Sequence, residues 1–118
     1  MEPQKFILRE KSYQFAIRVV RLNQFLCGEK KEYILSKQLL RSGTAIGALI
    51  KEAEFGQSRA DFRNKMGIAL KEANETVYWL NLLKDTDYIT EKMFHSMSND
   101  WLELVRMLVS TVKTTQPK

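Results

Sequence analysis

Apolar residues recur at spacings of three and four almost throughout this chain, a period that suits an α-helix and little else. Only Phe6–Leu8 reads as a short extended entry. Interruptions divide the pattern into four helices, at about 10–27, 34–55, 58–84 and 90–112, with 113–118 as a frayed tail. Gly28 stops the first helix. Ser58, with Asp61 three residues on, and Thr90 are placed to cap the third and fourth, accepting N–H groups that a first turn leaves unpaired. Connections this short make consecutive helices neighbours of opposite direction. The expected fold is all-α, an antiparallel up-down-up-down four-helix bundle in one domain over 1–118.

The same spacing names the core. Helix two offers Leu35, Leu39, Ile46, Leu49, Ile50 and Ala53, and helix three offers Phe62, Met66, Ala69, Ala73, Val77 and Leu80. Helix four offers Met93, Met97, Trp101, Leu104, Val105, Leu108 and Val112. Helix one departs from this economy. Its Tyr13, Phe15, Ala16, Ile17, Val19, Val20, Leu22 and Leu26 cover well over half the circumference. Only Lys11, Gln14, Arg18 and Arg21 form a polar strip. A bundle helix needs an apolar stripe of only about 100°, so the surplus points to a second buried face and self-association. Ile68, Trp79 and Leu82, off the core stripe of helix three, point the same way.

Gly43 and Gly47 sit one turn apart inside helix two, where each costs roughly 1 kcal/mol relative to alanine. Missing side chains let a neighbouring backbone come close. Sequence alone leaves open whether that neighbour is a helix of the same chain, accommodating a bulky residue such as Trp101 or Trp79, or a second subunit.

Few routes to chemistry exist. His95 is the one histidine, so a di-iron centre with a Glu-x-x-His motif on each of two helices is excluded. Glu72 and Glu75 share a face of helix three without a histidine nearby in sequence. Ser110-Thr-Val-Lys113 matches a Ser-x-x-Lys nucleophile pattern by chance, its companion motifs being absent. Cys27 lies on the apolar arc of helix one and reads as an inert thiol. No catalytic residue, metal ligand or cofactor motif is expected. A single cysteine forms no internal disulfide, and neither a secretory signal nor a membrane span is legible, so the expected compartment is the cytoplasm.

Charge is the remaining signal. The net charge is +5, and residues 1–65 carry thirteen Lys/Arg against seven Asp/Glu, whereas residues 66–118 carry six against seven. A basic half fits nucleic acid or another acidic surface. Lys11, Arg18 and Arg21 on helix one, with Lys37 and Arg41 on helix two, are the candidate contacts. A solvated charged face is the alternative reading of the same residues.

Two stretches, SKQLLRSGTAIGALIKEA (36–53) and QSRADFRNKMGIALKEANETVYWLNLL (57–83), resemble the bacterial four-helix-bundle proteins of the 23S rRNA intervening-sequence family, some of them called S23 ribosomal proteins. Matching positions are Gln38, Arg41, Ser42, Ile46, Gly47, Ile50 and Glu52, then Ile68, Ala69 and Glu72. The resemblance implies a non-enzymatic homopentameric ring. It also implies a link to nucleic acid, since a related accessory protein of diversity-generating retroelements binds nucleic acid and a reverse transcriptase. Two departures stand out. The family pattern has serine and asparagine where this chain has Ala45 and Leu49, each an apolar residue in place of a polar one. The expected partners are therefore further copies of the chain and RNA or DNA, the alternative being a protein-binding scaffold. Gly43, Gly47, Ile68 and Trp79 are the candidate close-packing or subunit-contact positions.

Overall fold

The computed structural model describes residues 3–115, with side chains from residue 7 onward. Four helices, α1 (Pro3–Gly28), α2 (Leu35–Glu54), α3 (Arg59–Asp85) and α4 (Glu91–Thr114), form a rod of 47 × 21 × 21 Å. Contacts between neighbours pair in reverse order along the chain. Arg9 meets Glu54 and Asn23 meets Ser36 across α1–α2, while Arg41 meets Glu75 and Lys65 meets Glu52 across α2–α3. Consecutive helices are thus antiparallel.

Two expected caps are present. The Ser58 hydroxyl accepts the Asp61 N–H at 3.0 Å, and the Thr90 hydroxyl accepts the Met93 N–H at 3.1 Å. Helix α1 differs from expectation: it starts at Pro3, and Phe6–Leu8 is helical, not extended. Proline suits a first helical turn, where its missing N–H costs nothing. Leu8, one turn before Ser12, joins the buried face, so the early start extends the core. At the other end α4 continues to Thr114, and 116–118 of the expected tail lie outside the described residues.

Glu32 caps α2 in a way that spacing did not reveal. Its carboxylate, on a residue 8% exposed, accepts the N–H groups of Ile34, Leu35 and Ser36 at 3.1, 3.1 and 2.8 Å. Burial alone raises a carboxyl pKa. Here the backbone N–H groups, with the Ser36 hydroxyl, outweigh it and hold Glu32 below the usual glutamate range. Because the folded value is the lower one, the stabilisation is complete above the unfolded pKa, about 4.3, and is lost as pH falls through the folded value. Glu32→Gln removes the charge from these bonds and is expected to cost about 1–3 kcal/mol at pH 7. Urea titrations at pH 7 and pH 3 check this, the gap between wild type and variant narrowing at the lower pH.

Leu8, Phe15, Val19 and Leu26 of α1 interdigitate with Leu39, Ile46 and Ile50 of α2, Met66, Leu80 and Leu83 of α3, and Leu104 and Leu108 of α4. The buried set also contains the polar Ser12, Ser36, Ser42 and Thr76. Between α2 and α3 the Thr76 hydroxyl lies 2.8 Å from the Glu72 carbonyl and 3.1 Å from Ser42 Oγ, so neither is left unpaired. The Trp101 indole N–H donates to the Ala73 carbonyl at 2.7 Å, tying α4 to α3. Leu49, apolar where the family pattern is polar, packs against the core from a half-buried position, and Ala45 is half-buried too.

The two glycines have a definite neighbour, and it belongs to the same chain. A Cβ at Gly43 would lie 2.8 Å from both γ-carbons of Val19. One at Gly47 would lie 3.3 Å from the Ser12 carbonyl oxygen. Both glycines therefore seat α1 against α2, and neither Trp79 nor Trp101 is what they accommodate. Of the two readings, the close-packing one is what the neighbours within the chain fit.

Candidate functional site

The fold spends many of its cations internally. Arg41, one residue before the buried Ser42, faces α3 and pairs with Glu72 at 3.2 Å and with Glu75. Glu75 also accepts the Trp79 indole N–H at 3.0 Å. Arg18 reaches from α1 to α4, donating to Asp100 at 2.6 Å, to the Ser96 carbonyl at 3.0 Å and to the Ser96 hydroxyl at 2.7 Å. Lys11, two turns earlier, pairs with Glu103 at 2.7 Å. Arg59 and Arg63 donate to the Thr114 and Thr115 carbonyls, satisfying the end of α4. Three of the five candidate contacts, Lys11, Arg18 and Arg41, thus already hold carboxylates.

The Arg18 bridge is half exposed, and exposed pairs contribute about 0.2–1 kcal/mol. Arg18→Ala is expected to lower stability by about 1 kcal/mol or less in urea unfolding, and to loosen the α1–α4 seam without changing helix content.

Arg21 and Lys37 differ, having no carboxylate within salt-bridge distance among the described residues. Lys30 and Lys31, in the α1–α2 connection, join them, and Lys30 also lies 5.9 Å above the Phe25 ring. Arg21 is in the last two turns of α1 and Lys37 in the first turn of α2, so the four cations gather at one end of the rod. Lys30 and Lys31 were legible as loop charges, but only the ion pairs elsewhere reveal them as part of the unpaired set.

Ile68 is 36% exposed, whereas Trp79 is half-buried against the edge of the core, its ring edge-on to Tyr78. On α1, Tyr13 and Val20, seven residues apart and so on one face, are 63% and 38% exposed. The surplus apolar arc of α1 is thus partly covered, by Phe15, Val19, Leu22 and Leu26, and partly open.

Reactive groups are scattered. His95 is exposed on α4 beside Glu91, and the Cys27 sulfur rests 3.6 Å from Ser36 Oγ. Among the described residues no three His, Cys, Asp or Glu side chains converge as a metal set, and no helix is long and apolar enough to cross a membrane. The described surface includes a groove between α1 and α4 and another beside Trp101 between α3 and α4.

These features define an antiparallel four-helix bundle with a stapled interior and, at one end, four cations held by no carboxylate among the described residues, beside the exposed acids Glu29, Asp85, Asp87 and Glu91. The chain belongs to the 23S rRNA-intervening sequence protein family, whose model matches residues 4–110. Among solved structures it is similar to a protein of unknown function from the S23 ribosomal protein family of Bacteroides thetaiotaomicron VPI-5482, crystallised at 1.70 Å resolution. The two share 55% identity and superpose with a TM-score of 0.92, covering 93% of this chain and 98% of that one. A search of curated proteins finds no match.

Proposed function

We propose that the protein is a non-enzymatic, self-associating module that binds RNA or DNA through phosphate contacts. The observation that carries this reading is the group of four unpaired cations, Arg21, Lys30, Lys31 and Lys37, at one end of a bundle whose other candidate cations are engaged. Family membership adds the association with rRNA genes that the family description names. Helix ends and loops offer charges but no base-reading element, so backbone contact dominates and sequence matters little. Labelled structured RNA and duplex DNA of equal length, titrated at low salt, are expected to bind saturably and within about tenfold of each other. Tight binding to one sequence alone, with the others unbound, contradicts the phosphate reading.

Self-association is proposed from the open part of the α1 arc, Tyr13 and Val20, with Ile68 and Tyr78 of α3. The number five rests on the family resemblance alone. Light scattering at micromolar concentration is expected to give a mass about five times 13.8 kDa. A monomer there removes the self-association claim, and any other multiple removes only the stoichiometry. A ring repeats the cationic end around its axis, which strengthens a weak single-subunit contact.

A further inference from the structure

The α1–α4 seam is the one pair of adjacent helices in the bundle that no loop joins directly, and its two helices pack against each other least. Lys11 and Arg18 staple its lower part to Glu103 and Asp100. From Arg18 toward the end of α1 the seam holds an open groove of 510 Å³. Its floor is Leu22, Phe25, Met93 and Met97, and Arg21 and Lys92 stand on its rim beyond the Arg18 clasp.

We infer that this groove docks an acidic amphipathic helix of a partner protein. Three features select that occupant. The groove spans residues 18–25 of α1, about 10 Å or two helical turns, which matches two apolar anchors at i and i+4. Two methionines in the floor are unbranched and polarizable, adapting to leucine-like anchors of varied shape. Neither Arg21 nor Lys92 has a carboxylate within salt-bridge distance among the described residues, so glutamates flanking the anchors complete the rim without displacing an existing pair. A phosphate backbone uses the rim but leaves the apolar floor wet. Because no loop closes the seam, a helix can settle there without straining a connection.

The probe is a fluorescein-labelled 16-residue helical peptide with leucines at i and i+4 and glutamates beside them, titrated against the full chain by anisotropy. Saturable binding is expected, with amide shift changes confined to residues 18–25 and 92–97. Arg21→Glu with Lys92→Glu, both exposed positions, is expected to weaken it at least tenfold while the circular dichroism spectrum stays unchanged. Phe25→Ser tests the floor and is expected to weaken it comparably. Equal affinity for a control peptide with serine in place of leucine overturns the proposal, because charge alone then explains binding. Shift changes elsewhere, or a single-stranded RNA 16-mer that takes the groove as tightly as the leucine peptide, overturn it too. The duplex and structured-RNA titrations remain a separate test, since they do not depend on the groove floor.

Discussion

Leucine in place of Gly47 destabilises the bundle, although leucine is the better helix former. The substitution gains roughly 1 kcal/mol of propensity. It also drives a four-carbon side chain toward the Ser12 carbonyl, where even a Cβ would sit at 3.3 Å. That neighbour is backbone inside α1 and cannot swing aside, so the cost falls at the upper end of overpacking, about 3 kcal/mol. The net loss is about 2 kcal/mol, or about 8 °C in Tm for a chain of this size. Gly43 provides a check on the mechanism, because its obstacle is a side chain. Gly43→Ala meets both Val19 γ-carbons at 2.8 Å, and Val19 is fully buried and β-branched. In the Val19→Ala background the two γ-carbon clashes are gone and only the Val19 Cβ remains, at 3.2 Å, and a double-mutant cycle is expected to return a coupling of about 1 kcal/mol or more. Additive effects at Gly43 and Val19, or a Gly47→Leu variant more stable than wild type, contradict the close approach of α1.

The parts of this architecture visible in the sequence are the local and the periodic ones. Ser58 and Thr90 were legible as caps because an N-cap oxygen acts within three residues of itself. Leu39, Ile46, Ile50, Met66, Ala69, Ala73, Leu80, Leu104 and Leu108 were legible because a bundle keeps one face of each helix dry. What escaped depends on distant partners. Thr76 and Ser42 are polar and read as surface, yet they are buried because each finds the other's hydroxyl across α2–α3. Leu83 and Phe94 were not named, although each extends a named stripe by three residues, Leu83 beyond Leu80 and Phe94 before Met97, and Lys84 lies 4.3 Å over the Phe94 ring. Glu32 escaped because it caps from two to four residues upstream, through a loop whose shape spacing does not specify. The candidate site suffered most. Lys11, Arg18 and Arg41 look like free surface charges on a helical wheel, and only cross-helix distances show them holding Glu103, Asp100, Glu72 and Glu75.

The largest expected effect on function is at the cationic end. Charge reversal of Arg21, Lys31 and Lys37 together is expected to weaken nucleic-acid binding by about 100-fold or more. The figure follows from three charged contacts of about 1 kcal/mol each, with 1.4 kcal/mol for every tenfold. All three side chains are exposed and hold no carboxylate among the described residues, so helix content and oligomer size are expected to stay as in wild type. Arg18 is left out of this set because reversing it sets two acids face to face at Asp100 and confounds binding with seam stability. Neutralisation of Lys11, Arg18 and Arg41 to glutamine instead is the internal comparison, with helix content and oligomer size measured alongside to separate binding from seam stability. If that set abolishes binding while the first set leaves it intact, the contact surface lies along the helix faces and not at the end of the rod.

Salt dependence tests the phosphate reading most directly. Binding of wild type to a structured RNA and a duplex DNA, measured across a range of salt concentrations, is expected to give log–log slopes of about −0.7 to −0.9 for each phosphate neutralised. The Arg21, Lys31 and Lys37 reversal is expected to flatten each slope by about one unit per lost contact. Binding whose slope is near zero, or no binding at all at low salt, contradicts the account.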